Sequence, residues 1–285
     1  MAFPNARRLL RAGPSLSTLK LLAMQASATR PRLRPASTAF LRLFVHDGEI
    51  SVRFPCFNRR YTVFIRVSDM ESDLFTIREL TAGGVYPLPL DFSPDLIVDG
   101  GANIGLFTLL ASAAFPHATV VSCEPVPRSL AQIDKHLRGN NVPAEVLPVC
   151  LGGKRGAIPF YIREAIASSF DPHKPFAGQM NVDVVTLSDV LRGRDARRIL
   201  IKLDIEGMEL EVLERFVPEE TRPVCVLGEL HERKRTGKRL ESIFNGGGWK
   251  LVFLDESETD SIFQAWSPAA LPLLNGSPSS SRGKA

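Results

Sequence analysis

The segment Asp95-Leu-Ile-Val-Asp-Gly-Gly-Ala-Asn-Ile-Gly105 holds the first arrangement in the chain that could do chemistry. A short apolar run ends in an acid, Asp99, followed by Gly100 and Gly101 and then by Gly105. Glycines in such a turn let a ligand approach the backbone, because they lack a Cβ and tolerate positive φ. Dinucleotide sites use a Gly-x-Gly-x-x-Gly spacing to cradle a pyrophosphate. Here the spacing is Gly-Gly-x-x-x-Gly. Asp99 would repel a pyrophosphate, but it can meet the ammonium of a methionine moiety, directly or through water. A second acid, Glu124, closes the run Val120-Val-Ser-Cys-Glu124, 19 residues beyond Gly105. Doubly wound folds place an acid near that distance to accept hydrogen bonds from ribose hydroxyls. Either acid alone reads as an ordinary turn or surface charge. Together, both at strand ends, they predict an adenosyl cofactor.

The second arrangement is Ile199-Leu-Ile-Lys-Leu-Asp-Ile-Glu-Gly-Met-Glu209. Alternation along a strand puts Leu200, Lys202 and Asp204 on one side. A lysine within an apolar strand is costly to bury without a partner, and Asp204 and Glu206 are the obvious ones. They fall at the carboxyl end of the strand, where open α/β sheets bind ligands. The bland alternative is an ion pair that anchors the turn. His231 ends a further apolar run; its ordinary pKa near 6.5 suits reversible proton uptake, and the bland alternative is an exposed loop histidine.

These residues need a βα framework to position them. A hairpin is expected from Ile50–Phe54 and Tyr61–Val67, then a short helix from Asp73 with Leu74, Ile77 and Leu80 on one face, ending near Gly83–Gly84. Strands follow at Leu96–Val98, Thr119–Cys123, Val146–Val149, Ile199–Leu203 and Val224–Leu230, with closing strands at Trp249–Leu254 and Ile262–Trp266. Helices are expected over Ile104–Phe115, from Pro127 onward, and through Leu210 and Leu213. Short apolar strands alternating with helices predict a Rossmann-like α/β fold, a mostly parallel sheet flanked by helices. The expected layout is a small hairpin-and-helix cap over 46–92 and a core over 93–266. An irregular, Gly- and Pro-rich insertion, 152–182, is placed to act as a lid or binding loop.

Composition sets the outer limits. With 44% hydrophobic and 23% charged residues, the 285-residue chain reads as a globular enzyme. The apolar run 106–115 is too short to span a bilayer, so no transmembrane segment is expected. The net charge of +4 is unevenly spread. Seven Arg and one Lys lie in residues 1–46 without any acid, leaving 27 basic against 31 acidic residues in the rest. A mildly acidic body gives no broad surface for nucleic acid. Residues 1–45 read as a poorly ordered basic tail, with organelle targeting or a basic arm as the functional alternatives. Residues 267–285 read as a disordered tail. Cys56, Cys123, Cys150 and Cys225 are scattered and read as free thiols in a reducing compartment, with no zinc site among them.

The sequence resembles the FkbM family of S-adenosylmethionine-dependent methyltransferases. The matching stretches are Val98–Gly105, Glu124-Pro125, Val184-Val-Thr-Leu-Ser-Asp189, Ile201–Glu209 and Glu229-Leu-His231, with Ser72-Asp-Leu-Phe75 and Gly84-Val-Tyr86 upstream. The resemblance covers about residues 60–254 and implies a class I methyltransferase fold. It also implies methyl transfer from S-adenosyl-L-methionine, usually to a hydroxyl of a sugar, glycan or small metabolite, in a cytoplasmic enzyme. By position it implies that Asp99, Gly100, Gly101, Asn103, Ile104 and Gly105 border the cofactor, with Glu124 and Pro125 at the ribose. Asn140 or Asn141 would lie near the adenine, and Asn141 is carried forward. Ser168 and Ser169 resemble a serine pair in the family's insertion. Asp204 is the first candidate base and His231 the second, with Lys202 orienting Asp204 and Glu206 beside it. A Mg²⁺ on Asp204, Glu206 and Glu229 is chemically admissible, but nothing in the spacing demands a metal. The competing readings are a nicotinamide-dependent oxidoreductase, a non-catalytic cofactor-binding protein and a nucleic-acid methyltransferase. The glycine spacing, the charged 202–206 cluster and the absence of an aromatic after Asp204 argue against them in turn.

Overall fold

A computed structural model describes Lys20 and residues 40–41, 43–78, 86–162 and 178–274. Strands β1 (Glu49–Cys56) and β2 (Arg59–Arg66) form an antiparallel hairpin, followed by helix α1 (Met70–Arg78). Alternation builds it: Ile50, Val52, Tyr61, Val63 and Ile65 share one face and are buried. Of the chain ahead of the hairpin, Leu41 is buried in the same cluster, and Lys20 Nζ donates to the Ser51 carbonyl at 3.0 Å.

The core sheet has seven strands: β3 (Leu96–Gly100), β4 (Thr119–Cys123), β5 (Glu145–Leu147), β9 (Ile199–Leu203), β10 (Val224–Leu230), β11 (Lys250–Phe253) and β12 (Ser261–Trp266). Their order is β11-β12-β10-β9-β3-β4-β5. Only β12 runs against the others, pairing antiparallel with both β10 and β11. Helices α2 (Leu106–Ala114), α3 (Pro127–Asn140), α4 (Leu187–Leu191), α5 (Glu209–Phe216), α6 (Arg233–Gly246) and α7 (Leu271–Leu274) accompany these strands, with a 3-10 turn at Leu90–Phe92. This is the expected α/β architecture. Its strands are apolar on both sides because both sides are covered. Val98, Ile201, Leu203 and Val226 meet Leu187, Leu213 and Phe244 of α4, α5 and α6. Ile97, Leu200, Cys225 and Leu227 face the other way, with Phe107 and Ala111 of α2. Each such Val, Leu, Ile or Phe side chain, fully buried, contributes about 1.5–3 kcal/mol.

Three expectations are corrected. Residues 267–274, expected in the disordered tail, pack on the core: Ala270 is buried and Ser267 Oγ donates to the Arg222 carbonyl at 2.8 Å. The third strand does not run through Val149: Pro148, which has no N–H to give a ladder, breaks it. Cys150–Leu151 instead forms β6 of a separate sheet. The insertion expected to be irregular also supplies strands. β7 (Gly156–Ile162) pairs antiparallel with β8 (Gly178–Val185), and the small sheet has the order β6-β8-β7. Pro159 is tolerated because β7 is an edge strand. Alternation was present, with Phe160, Val182 and Val184 turned into one apolar cluster, but it was masked by the glycines and prolines around it. Ser168 and Ser169 lie outside the described residues.

The hairpin docks on α3. His136 is fully buried, its Nε2 accepting from the Phe64 amide at 2.9 Å and its Nδ1 lying 2.7 Å from the Ile104 carbonyl. Asn140 accepts from the Thr62 amide at 2.6 Å and donates to the Thr62 carbonyl at 2.8 Å. Among the described residues no helix is long and apolar enough to cross a membrane.

Candidate functional site

From β3 the chain moves outward to β4 and β5, then returns to β9 on the other side. Such a switch point opens a crevice at the strands' carboxyl ends. A pocket lies there, lined by Gly101 and Asn103 after β3, Glu124, Pro125, Val126, Arg128 and Ser129 after β4, and Asp204 to Glu206 after β9. Cys150 and Phe160 from the small sheet and Arg66 and Ser72 from the cap close its sides.

The glycine turn and the β9 loop touch. Gly101 has φ +72°, and a Cβ built on it would sit 1.8 Å from the Asp204 carbonyl oxygen. Lys202, buried, binds the turn from below: its Nζ donates to the Gly101 carbonyl at 2.8 Å and the Gly100 carbonyl at 3.2 Å. The same ammonium is 3.6 Å from Asp99 Oδ1 and 3.5 Å from Asp204 Oδ2. Burial alone would lower its pKa, but Asp204 and Asp99 outweigh it and raise the value. The cost of burying this charge is thus met by four oxygen partners.

Asp99 is not on the pocket wall. It is fully buried, its Oδ2 accepting from Thr108 Oγ1 at 2.7 Å, while Oδ1 faces Lys202 without a hydrogen bond. Burial pushes its pKa up. Strand alternation turns Asp99 onto the α2 side of the sheet, so it reaches the pocket through Lys202 and the turn. Gly100 packs against Leu151, Gly105 against Ile133, and Ile104 is buried in the cap-facing cluster. None of the three lines the pocket. Asn141 is placed elsewhere too. It is exposed, with φ +52°, at the carboxyl end of α3, whose amino end borders the pocket. Fourteen residues of helix carry it about 20 Å away. Asn140 is committed to the hairpin.

Glu124 is held ready: Oε2 accepts from the Asn103 amide and Oε1 from the Val126 amide, both at 2.9 Å. Burial pushes its pKa up to about 7. Pro125 follows on the same wall.

On the opposite wall, Asp204 Oδ2 accepts from the Tyr86 hydroxyl at 3.1 Å, and Lys202 Nζ lies 5.7 Å from the centre of the Tyr86 ring. Glu206, at φ +58°, is pushed up to about 7 by burial and by the charge of Asp204. Its Oε2 is 3.7 Å from His231 Nε2, and His231 Nδ1 is 3.4 Å from Glu209 Oε1. Glu209 is 2% exposed and accepts from the Ile205 and Gly207 amides, which fixes the loop. Burial would lower the His231 pKa, but Glu209, Glu206 and Asp204 prevail and push it up to about 10. Asp204, Glu206 and His231 offer ligand atoms within 4.8 Å of one another. Glu229, grouped with the two acids from sequence, is not in that set; His231 is.

Tyr86 and Glu209 stood only as the ends of family-like stretches, and Arg66 and Phe160 had no individual signal in the sequence. Their roles come from contacts across the fold. The four cysteines are free, and burial pushes Cys150, on the pocket wall, up to about 12.

A family model described as the Methyltransferase FkbM domain matches residues 99–257. Methyltransferase 1 of Beauveria bassiana (strain ARSEF 2860) is 32% identical over 152 residues, 45% of this chain; the match spans 60% of that relative's length. Methyltransferase sdnD of Sordaria araneosa is 28% identical over 74% of this chain and 92% of its own. The 31-O-demethyl-FK506 methyltransferase FkbM of Streptomyces tacrolimicus is 26% identical over 67% of this chain and 83% of its own.

Proposed function

Because this chain belongs to the FkbM methyltransferase family, we propose that it transfers a methyl group from S-adenosylmethionine to a hydroxyl oxygen of a sugar, glycan or small metabolite. The observation that carries this reading is the pocket's two-sided wall, Gly101, Asn103 and Glu124 on one side and Asp204 and Glu206 on the other. A cofactor laid along the first side would present its sulfonium to the second. The name of the Streptomyces relative specifies an oxygen acceptor, which supports oxygen here.

In this reading Glu124 takes the ribose hydroxyls, and Gly101 and Asn103 border the methionine portion. Asp99 acts from behind, through Lys202. Transfer is an in-line displacement: the acceptor oxygen bonds to the methyl carbon as the carbon–sulfur bond breaks, leaving S-adenosylhomocysteine. Alignment can supply on the order of 7–11 kcal/mol of barrier reduction. An aliphatic hydroxyl must also lose its proton. Asp204 is the first candidate to take it, oriented by Tyr86 and Lys202. His231, the second candidate, lies beside Glu206, with Nε2 3.7 Å from Glu206 Oε2. Lys202 is a positioning residue.

The test is calorimetric titration with S-adenosylhomocysteine, beside Glu124→Ala. Micromolar binding that is weakened at least tenfold in the variant supports the reading. A folded wild-type protein that binds none overturns it.

A further inference from the structure

We infer that Asp204, Glu206 and His231 form a binding site for one divalent first-row transition cation, at the edge of the pocket opposite Glu124. The three side chains come from two loops, after β9 and after β10, and their ligand atoms converge within 4.8 Å. The second observation is the carboxylate behind the histidine. Glu209 is 2% exposed, anchored by two backbone amides, and faces His231 Nδ1 at 3.4 Å. Metal-binding histidines characteristically give their other ring nitrogen to a carboxylate or carbonyl, which fixes the tautomer and leaves one nitrogen for the metal. Here Nδ1 is buried and faces Glu209 at 3.4 Å without a hydrogen bond, close enough for a small ring rotation to make one, and Nε2 is turned outward to Glu206 at 3.7 Å. Asp204 is likewise fixed, with Tyr86 and Lys202 both on Oδ2.

The donor set selects the ion. One imidazole and two carboxylates suit Mn²⁺, Fe²⁺, Co²⁺ or Zn²⁺, whereas Mg²⁺ favours an all-oxygen shell. Glu209 and Glu229 add negative charge to the two ligand carboxylates, against the one Lys202 ammonium 3.5 Å from Asp204 Oδ2. The site's role rests on the methyltransferase reading. A cation there would bind the acceptor hydroxyl and favour loss of its proton to water, replacing Asp204 as the proton acceptor, as the oxygen bonds to the methyl carbon and S-adenosylhomocysteine leaves. The binding itself does not rest on that reading.

The experiment is Mn²⁺ titration of the purified chain, followed by the electron paramagnetic resonance signal of free Mn²⁺, beside His231→Gln and Glu206→Gln. S-Adenosylhomocysteine binding and the melting temperature are measured on the same samples. One Mn²⁺ per chain, bound at least tenfold more tightly than Mg²⁺ and weakened at least tenfold in either folded variant, supports the site. Absence of stoichiometric binding overturns it, as does binding that both variants leave unchanged, which would mark surface carboxylates only. Mn²⁺ binding without S-adenosylhomocysteine binding keeps the site and removes the methyltransferase reading; the converse does the reverse.

Discussion

Glu124 has both carboxylate oxygens on backbone amides, yet burial still lifts its pKa to about 7. Ribose hydroxyls donate to the ionised form. A carboxyl raised on folding is favoured in its protonated state, so ionisation costs stability as pH rises from the ordinary carboxylate range through 7, and a hydroxyl-bearing ligand offsets that cost. S-Adenosylhomocysteine affinity should therefore fall roughly tenfold between pH 8 and pH 6, because only about a tenth of the carboxyls would then be ionised. Calorimetry across that range checks it, and Glu124→Gln should bind weakly and without the slope. A flat wild-type profile would count against Glu124 as the ribose acceptor. Glu124 and Asp204 were legible in sequence because an acid closing an apolar run marks a strand's carboxyl end. Asn141 misled because its helix points away: only the amino end of α3 reaches the pocket.

Among elements, the small sheet packs on Val126 and the main core, and one side chain ties its outer strand to the rest. Asp189 and Thr186 cap α4 reciprocally, with two bonds of 3.1 Å, and Asp189 also accepts from Arg155 Nε at 2.7 Å, at the base of β7. Arg155 holds the Asp189 carboxyl well below the usual carboxylate range. A depressed carboxyl contributes stability that is present above its unfolded value of about 3.9 and is lost as pH falls through the lower folded value. Asp189→Asn should lower the melting temperature at pH 7, with the gap from wild type closing as pH drops below that value. Thermal melts at graded pH decide it; a gap that persists in acid would assign the loss to packing. The main sheet could be read from sequence because each of its strands is an apolar run. The β6–β8 sheet could not, since its alternation sits among glycines and prolines that signal turns.

For the whole molecule, the cap is held to the core chiefly through α3, and His136 is the buried link. Its Nε2 must be unprotonated to accept from the Phe64 amide, and burial lowers its pKa below the ordinary value. The contribution is therefore complete above about pH 6.5 and is lost as pH falls toward the folded value. His136→Ala, which leaves the Phe64 amide and the Ile104 carbonyl without this partner, should cost about 1–3 kcal/mol. Hydrogen exchange at Phe64 and Thr62 should accelerate more than in β3 or β9. Equal acceleration everywhere would mean that cap and core open together.

The contact between Gly101 and the Asp204 carbonyl, with Lys202 clamping both loops, has a thermodynamic consequence. A ligand that settles the glycine turn also settles the loop bearing the acids, so occupancy of the two walls is cooperative. Linkage makes that coupling reciprocal. Whatever factor S-adenosylhomocysteine adds to cation affinity, the cation must add to S-adenosylhomocysteine affinity, so loading either wall primes the other.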